Sequence, residues 1–179
     1  HIDQVWEILR AFASFGFCKA HAAAFALPTY QSAWLKTHHP AAFYAGLLTH
    51  DPGMYPKRLI LNDARNFGVT ILGLDINASN SVYHLEQLPD LSFGIRVPFT
   101  DLKEISEAEI ERIISGQPFS SLSDLWLRAR PSRPVTENLV VAGAFDALYG
   151  FTSRQVRGRI TRRDLLLQIA DLDRARGKT

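Results

Sequence analysis

One cysteine, Cys18, and one methionine, Met54, occur in 179 residues. A lone thiol builds neither a disulfide framework nor a cysteine-based metal site; this suits a reducing, cytoplasmic setting and predicts a buried structural thiol at Cys18. The chain has no run of 18 or more apolar residues and no charged-then-apolar leader, so neither a membrane nor a secreted protein is expected. A glycine-rich phosphate loop and a nucleophile elbow are both missing, which argues against a self-contained ATPase or hydrolase. Carboxylates are not arranged for divalent-metal chemistry. The one Asp-x-Asp pair, Asp171 and Asp173, falls on a helical pattern with Leu165, Leu166, Ile169 and Leu172 rather than on a strand. Charge of one sign is scarce as well: the formal net charge of +2 does not by itself argue for nucleic acid.

A hydrophobic content of 46% is enough for a core, and the length fits one domain or two small ones. The densest stretch is FGFCKAHAAAFALPTYQSAWLKTHHP, Phe15 to Pro40. Ala22 to Leu27 are helix formers of small volume, and Lys19 and His21 stand where that helix begins after Gly16. A helix start presents unpaired N–H groups and a positive dipole end, so basic side chains there add to a site for an anion such as a phosphate. The same two residues also fit a solvated lysine and a half-buried histidine bonded to a carbonyl. Pro28 predicts a kink or restart between Leu27 and Thr29. Beyond it Tyr30, Ala33, Trp34 and Thr37 form a stripe expected in the core. His38 and His39 precede Pro40, which breaks the helix, and two adjacent histidines make a poor metal pair.

Ahead of this stretch, Ile2, Val5, Trp6, Leu9, Phe12 and Ala13 recur at helical spacing, with an end expected from Ser14 to Gly16. After it, Pro40 opens a helix with Ala41, Phe43, Tyr44, Leu47 and Leu48 inward, closed by the turn Asp51-Pro52-Gly53. A further helix from Lys57 to Phe67 places Leu59, Ile60, Ala64 and Phe67 inward and stops at Gly68. Val69, Ile71 and Leu72 suggest a strand, Asp75 a turn, and Tyr83 to Glu86 with Leu91 to Val97 a small hairpin. From Val97 the pattern changes to short helices. Ser106 with Glu109 forms a capping box ahead of Ile110, Ile113 and Ile114, Ser121 to Asp124 starts the next helix, and Pro134 to Glu137 the last, ending at Gly143. Beyond Tyr149, Arg154, Arg157, Arg159, Arg162, Arg163, Arg174, Arg176 and Lys178 face only Asp164, Asp171 and Asp173. The chain begins at His1 inside a helical pattern, as a piece of a longer polypeptide would.

Lys19, His21, Ala23, Ala24, Phe25, Tyr30, Gln31, Trp34, Leu35, Lys36, His39 and Pro40 together resemble the fingers segment of the bacterial C-family DNA polymerases, the alpha subunit of DNA polymerase III and its error-prone relatives. VTILGLDINASN, FGIR and AGAFDAL are similar to later parts of the same family, and residues 97–150 to its helix-hairpin-helix region. The resemblance implies a mainly α fold: a multi-helix fingers segment with a small β element over 1–96, a helix-hairpin-helix-like module over 97–150, and a basic helical tail or linker over 151–179.

It also implies roles. Lys19 and His21, with Tyr30, Gln31 and Lys36, would hold the triphosphate of an incoming dNTP. Lys103, Arg112, Arg128, Arg130 and Arg133 would meet the backbone of primer-template DNA. The catalytic Mg2+ would be held by palm carboxylates outside this stretch, leaving it inactive alone; palm and thumb would be partners, as would a sliding clamp through other regions. A helix-hairpin-helix offers backbone amides of a Gly-hydrophobic-Gly hairpin to a phosphate. Glu104-Ile105-Ser106 stands in that place, so amide donation there is in doubt and the arginines of the second hairpin become the stronger contact. A competing possibility is a degenerate, non-catalytic DNA-binding or protein-interaction module.

Overall fold

The structure, a computed structural model, describes residues 1–13, 18–51, 53–151 and 160–176. The expected helix end at Ser14 to Gly16, Pro52, and Arg154, Arg157, Arg159 and Lys178 lie outside these residues. Among the described residues the fold is mainly helical, with one three-stranded sheet.

Helix α1 is Ile2–Ala13, with Asp3 in its first turn and Arg10 in its last, charges that complement the dipole. Its Ile2, Val5, Trp6, Ile8 and Leu9 are all exposed. Helix α2, Lys19–His38, continues through Pro28 without a restart: Pro28 lies inside it. A proline removes one N–H and strains one turn, and the helix formers on either side carry the helix past that loss. At the adjacent turn the Thr29 hydroxyl donates to the Phe25 carbonyl at 2.7 Å. No residue of α2 is buried. The stripe Tyr30, Ala33, Trp34 and Thr37, expected in the core, is exposed, and so is Cys18. The stripe was read from helical periodicity, which identifies an apolar face but not what covers it; the thiol was read from its being the lone cysteine, which says nothing of its place in the fold. At His39, φ is −136° and α2 ends; α3 starts at Pro40 and runs to His50.

The first core forms under α3 and α4, Lys57–Asn66: Tyr44, Ala45, Leu48, Ile60, Ala64, Val69, Tyr83 and Ile95 are buried together. Leu59 and Phe67, expected inward, are about half exposed. Gly68, at φ 77°, closes α4 as foreseen, with the Val69 N–H reaching back to the Ala64 carbonyl at 3.0 Å. Strands β1 (Ile71–Leu72), β2 (His84–Gln87) and β3 (Phe93–Arg96) follow, in the order β1-β3-β2. The β2–β3 hairpin is antiparallel as expected, whereas β1 joins β3 in parallel. Arg96 fixes the sheet with a bidentate pair to Glu86 at 2.8 and 2.6 Å and a bond to the Gly73 carbonyl.

The second core is larger. After a 3₁₀ turn at Phe99–Asp101 come α5 (Glu107–Gly116), α6 (Leu122–Arg128), α7 (Arg133–Val141), the short α8 (Asp146–Tyr149) and α9 (Arg162–Arg176). Phe99, Ile113, Leu122, Leu125, Leu139, Phe145, Leu165 and Ile169 are sealed from solvent within it. Each such side chain contributes roughly 1.5–3 kcal/mol by leaving water. The apolar face of α9 is therefore packed against the module. Gly143 is at φ 86°, and a Cβ there would sit 2.7 Å from the Arg162 guanidinium, which clasps Asp146 and the Val141 carbonyl.

A loop joins the two cores. Asp75 accepts from the Asn77 and Ala78 N–H groups, making the turn its sequence predicted. Asn77 then pairs both its amide atoms with the backbone of Phe119, the Ile76 N–H reaches the Ala144 carbonyl, and Gln117 bonds the Ile76 and Ser79 carbonyls.

Candidate nucleic-acid interface

Two hairpins of the second module share one backbone design. Glu104 sits at φ 66° and is followed by Ile105 and then Ser106, the N-cap of α5; Arg130 sits at φ 49° and is followed by Pro131 and then Ser132, the N-cap of α7. A residue in the left-handed region, an apolar residue and a serine at the N-cap position thus recur in both, though only Ser106 caps its helix with its side chain. Glycine occupies such positions without strain, while a residue with a Cβ holds them at a cost. Glu104 holds a conformation that a glycine would favour.

The hairpins meet on one side chain. Glu109, on α5, accepts from the Ser106 N–H at 3.1 Å and hydroxyl at 2.7 Å with one oxygen, and from the Ser132 N–H at 2.8 Å with the other. It is 8% exposed. Burial pushes its carboxyl up, but the donors from Ser132 and Ser106 prevail and bring it down to about 2. The capping box at Ser106 was legible in the sequence; the bond to Ser132, across the module, was not.

Of the cations expected to meet phosphates, the structure commits three to the fold. Arg112 donates to the Ala129 carbonyl at 2.8 Å. Arg128 donates to the carbonyls of Gly116 and Pro118, pairs with Asp124 and lies 5.0 Å over the Phe119 ring. Arg133 pairs with Glu137 and Asp173. Among the described residues, no hydrogen bond or ion pair engages the Lys103 ammonium or the Arg130 guanidinium. Beyond Tyr149, three of the four described arginines are likewise engaged, while Arg163 is exposed. Arg162 clasps Asp146, Arg174 pairs with Asp171, and Arg176 stacks 4.0 Å over Trp126 while bonding the Trp126 and Pro131 carbonyls.

On α2, Lys19 and His21 are exposed at the first turn, and the His21 ring lies 4.6 Å from that of Phe25. Two residues apart, they point about 200° around the helix, so only a ligand off its end meets both. Tyr30 and Gln31 line a shallow depression with Trp34 and Leu35. Lys36 is not with them. It pairs with Asp63 at 2.8 Å, lies 4.3 Å over the Phe67 ring, and shares Asp63 with the Tyr44 hydroxyl at 2.6 Å. Asp63 raises the Lys36 ammonium, and Lys36 with Tyr44 lowers the Asp63 carboxyl. No three His, Cys, Asp or Glu side chains gather to hold a metal among the described residues.

Residues 68–156 match a family model described as a helix-hairpin-helix motif. Error-prone DNA polymerases match most of the chain. That of Mycolicibacterium paratuberculosis is 39% identical over 159 residues, 86% of this chain and 14% of that protein. That of Aromatoleum aromaticum is 38% identical over 156 residues, 83% of this chain and 15% of that protein. The chain fits a fragment of a C-family DNA polymerase that includes its helix-hairpin-helix region. It spans about one seventh of the length of the curated relatives it matches. Within this family segment the double hairpin falls inside the matched motif, and none of the described helices is long and apolar enough to cross a membrane.

Proposed function

We propose that the chain serves a cytoplasmic, template-directed DNA polymerase in two ways: α2 offers an anion site to the triphosphate of the incoming dNTP, and the double hairpin carries the backbone of primer-template duplex. The division expected from sequence, 1–96, 97–150 and 151–179, is kept as the frame of this proposal. The observation that carries it is the joining, in one polymerase-like chain, of an exposed basic-ended helix to a duplicated hairpin whose Lys103 ammonium and Arg130 guanidinium have no partner among the described residues. Lys19 and His21 supply charge where a transferring phosphoryl group is negative, and Tyr30 and Gln31 lie along the same helix. Lys103 and Arg130 supply sequence-independent contacts.

Mg2+ chemistry belongs to such a polymerase, but the residues here do not fit the ion. Asp171 and Asp173 are paired with Arg174 and Arg133, and no three His, Cys, Asp or Glu side chains gather to hold a metal among the described residues. The metal ligands are assigned to palm residues outside this chain; palm, thumb and a clamp bound elsewhere complete the partners.

The test is titration of the chain with labelled primer-template duplex across a salt series. Binding weakens by roughly 0.9 log unit per log unit of salt for each phosphate neutralised, and Arg130→Ala removes about that much slope. In the whole polymerase, Lys19→Ala lowers kcat/KM for nucleotide by about 10²-fold. Unchanged kcat/KM with intact duplex binding would leave the double hairpin as the whole function, and no duplex binding at low salt would overturn its role.

A further inference from the structure

The two hairpins have their own helices, yet their N-caps are joined through one buried carboxylate. Bonded to the two oxygens of Glu109, the amide nitrogens of Ser106 and Ser132 lie no more than about 8 Å apart. Helices α5 and α7 both aim their positive ends at this one negative charge, which solvent scarcely reaches. A second tie runs beside it, from the Asn138 amide on α7 to the Lys103 carbonyl at 3.3 Å. An ordinary capping box needs only the Ser106 half of this arrangement. The bond to Ser132 adds nothing to the α5 cap; what it does is fix one hairpin to the other.

We propose that Glu109 is a positioning residue for duplex binding, setting the spacing at which Lys103 and Arg130 reach the DNA backbone together. This rests on the duplex-binding role proposed above. Two weak backbone contacts on a rigid frame reinforce one another, because seating the first presents the second at high effective concentration; freeing the spacing loses that gain while leaving each contact intact.

Two variants separate positioning from folding. Glu109→Gln replaces one acceptor oxygen by a donor. Ser132→Pro removes the N–H and the hydroxyl that Ser132 turns toward Glu109, at a residue whose φ of −69° proline adopts, and leaves the α5 capping box whole. Duplex affinity is measured across a salt series for both variants, for the unaltered chain, and for Arg130→Ala alone and combined with Glu109→Gln, with circular dichroism confirming helix content. The expected result is that folded variants lose roughly tenfold in affinity and about 0.9 of the salt slope. Arg130→Ala should then cost less in the Glu109→Gln background than alone. Folded Ser132→Pro or Glu109→Gln protein with unaltered slope and affinity overturns the proposal and leaves duplex binding standing. Failure of the unaltered chain to bind duplex overturns the duplex role and this inference with it.

Discussion

Helix α2 buries none of its residues, whereas α5, α6, α7 and α9 together seal Ile113, Leu125, Leu139 and Leu165 from water. The two regions use similar residue types to opposite ends. In the module, apolar faces turn toward one another and most arginines are spent on carbonyls and carboxylates, so the sequence there is shaped by packing. In α2, Tyr30, Trp34, Lys19 and His21 are all exposed, and the helix is held near its C-terminal end by Lys36, Asp63 and Tyr44. A helix without a buried face draws little stability from tertiary packing, so its composition answers to what it meets.

The sharpest way to break this comparison is truncation. Leu125→Ala is expected to cost about 2–5 kcal/mol in denaturant unfolding, while Trp34→Ala costs less than about 0.5 kcal/mol. Equal losses would mean that α2 is covered after all. Next is pH. The Glu109 carboxyl is lower in the folded chain than when unfolded, so its contribution is complete above about pH 4.5 and lost as pH falls toward about 2. That loss is of order 3 kcal/mol, read as a fall in Tm that Glu109→Gln should lack. Smaller again is a contrast within one hairpin. Arg128→Ala should destabilise by about 1–2 kcal/mol because it frees the Gly116 and Pro118 carbonyls, whereas Arg130→Ala should change duplex affinity and leave Tm alone. The smallest expected effect is a gain: Glu104→Gly relieves the left-handed backbone by about 0.5–1 kcal/mol and removes a negative charge, so both Tm and low-salt duplex affinity should rise.

Local chemistry was legible in the sequence, and long-range partners were not. The capping box at Ser106, the breaks at Pro40 and Gly68, the Asp75 turn and the β2–β3 hairpin all follow from residues within a few positions of one another. The parallel pairing of β1 could not be read, since a two-residue strand has no pattern of its own. The arginines show the same limit. Their number near the second hairpin was visible, but that Arg128 and Arg133 are occupied, while Arg130 has no partner among the described residues, depends on Gly116, Pro118 and Asp173, which only folding brings near. Tyr30 and Trp34 mark the converse case: an apolar stripe was read correctly as a face and wrongly as an interior.

The tie at Lys36 has a mechanical consequence. Seventeen residues of helix separate it from Lys19, about 25 Å at 1.5 Å per residue, so α2 is a lever pivoting near one end. Each degree of tilt at the pivot sweeps Lys19 through about 0.4 Å. The pivot is a partly exposed ion pair steadied by an aromatic ring, a joint softened by salt. Small changes in ionic surroundings at Asp63 are thereby magnified at the far end of the helix, where Lys19 and His21 stand.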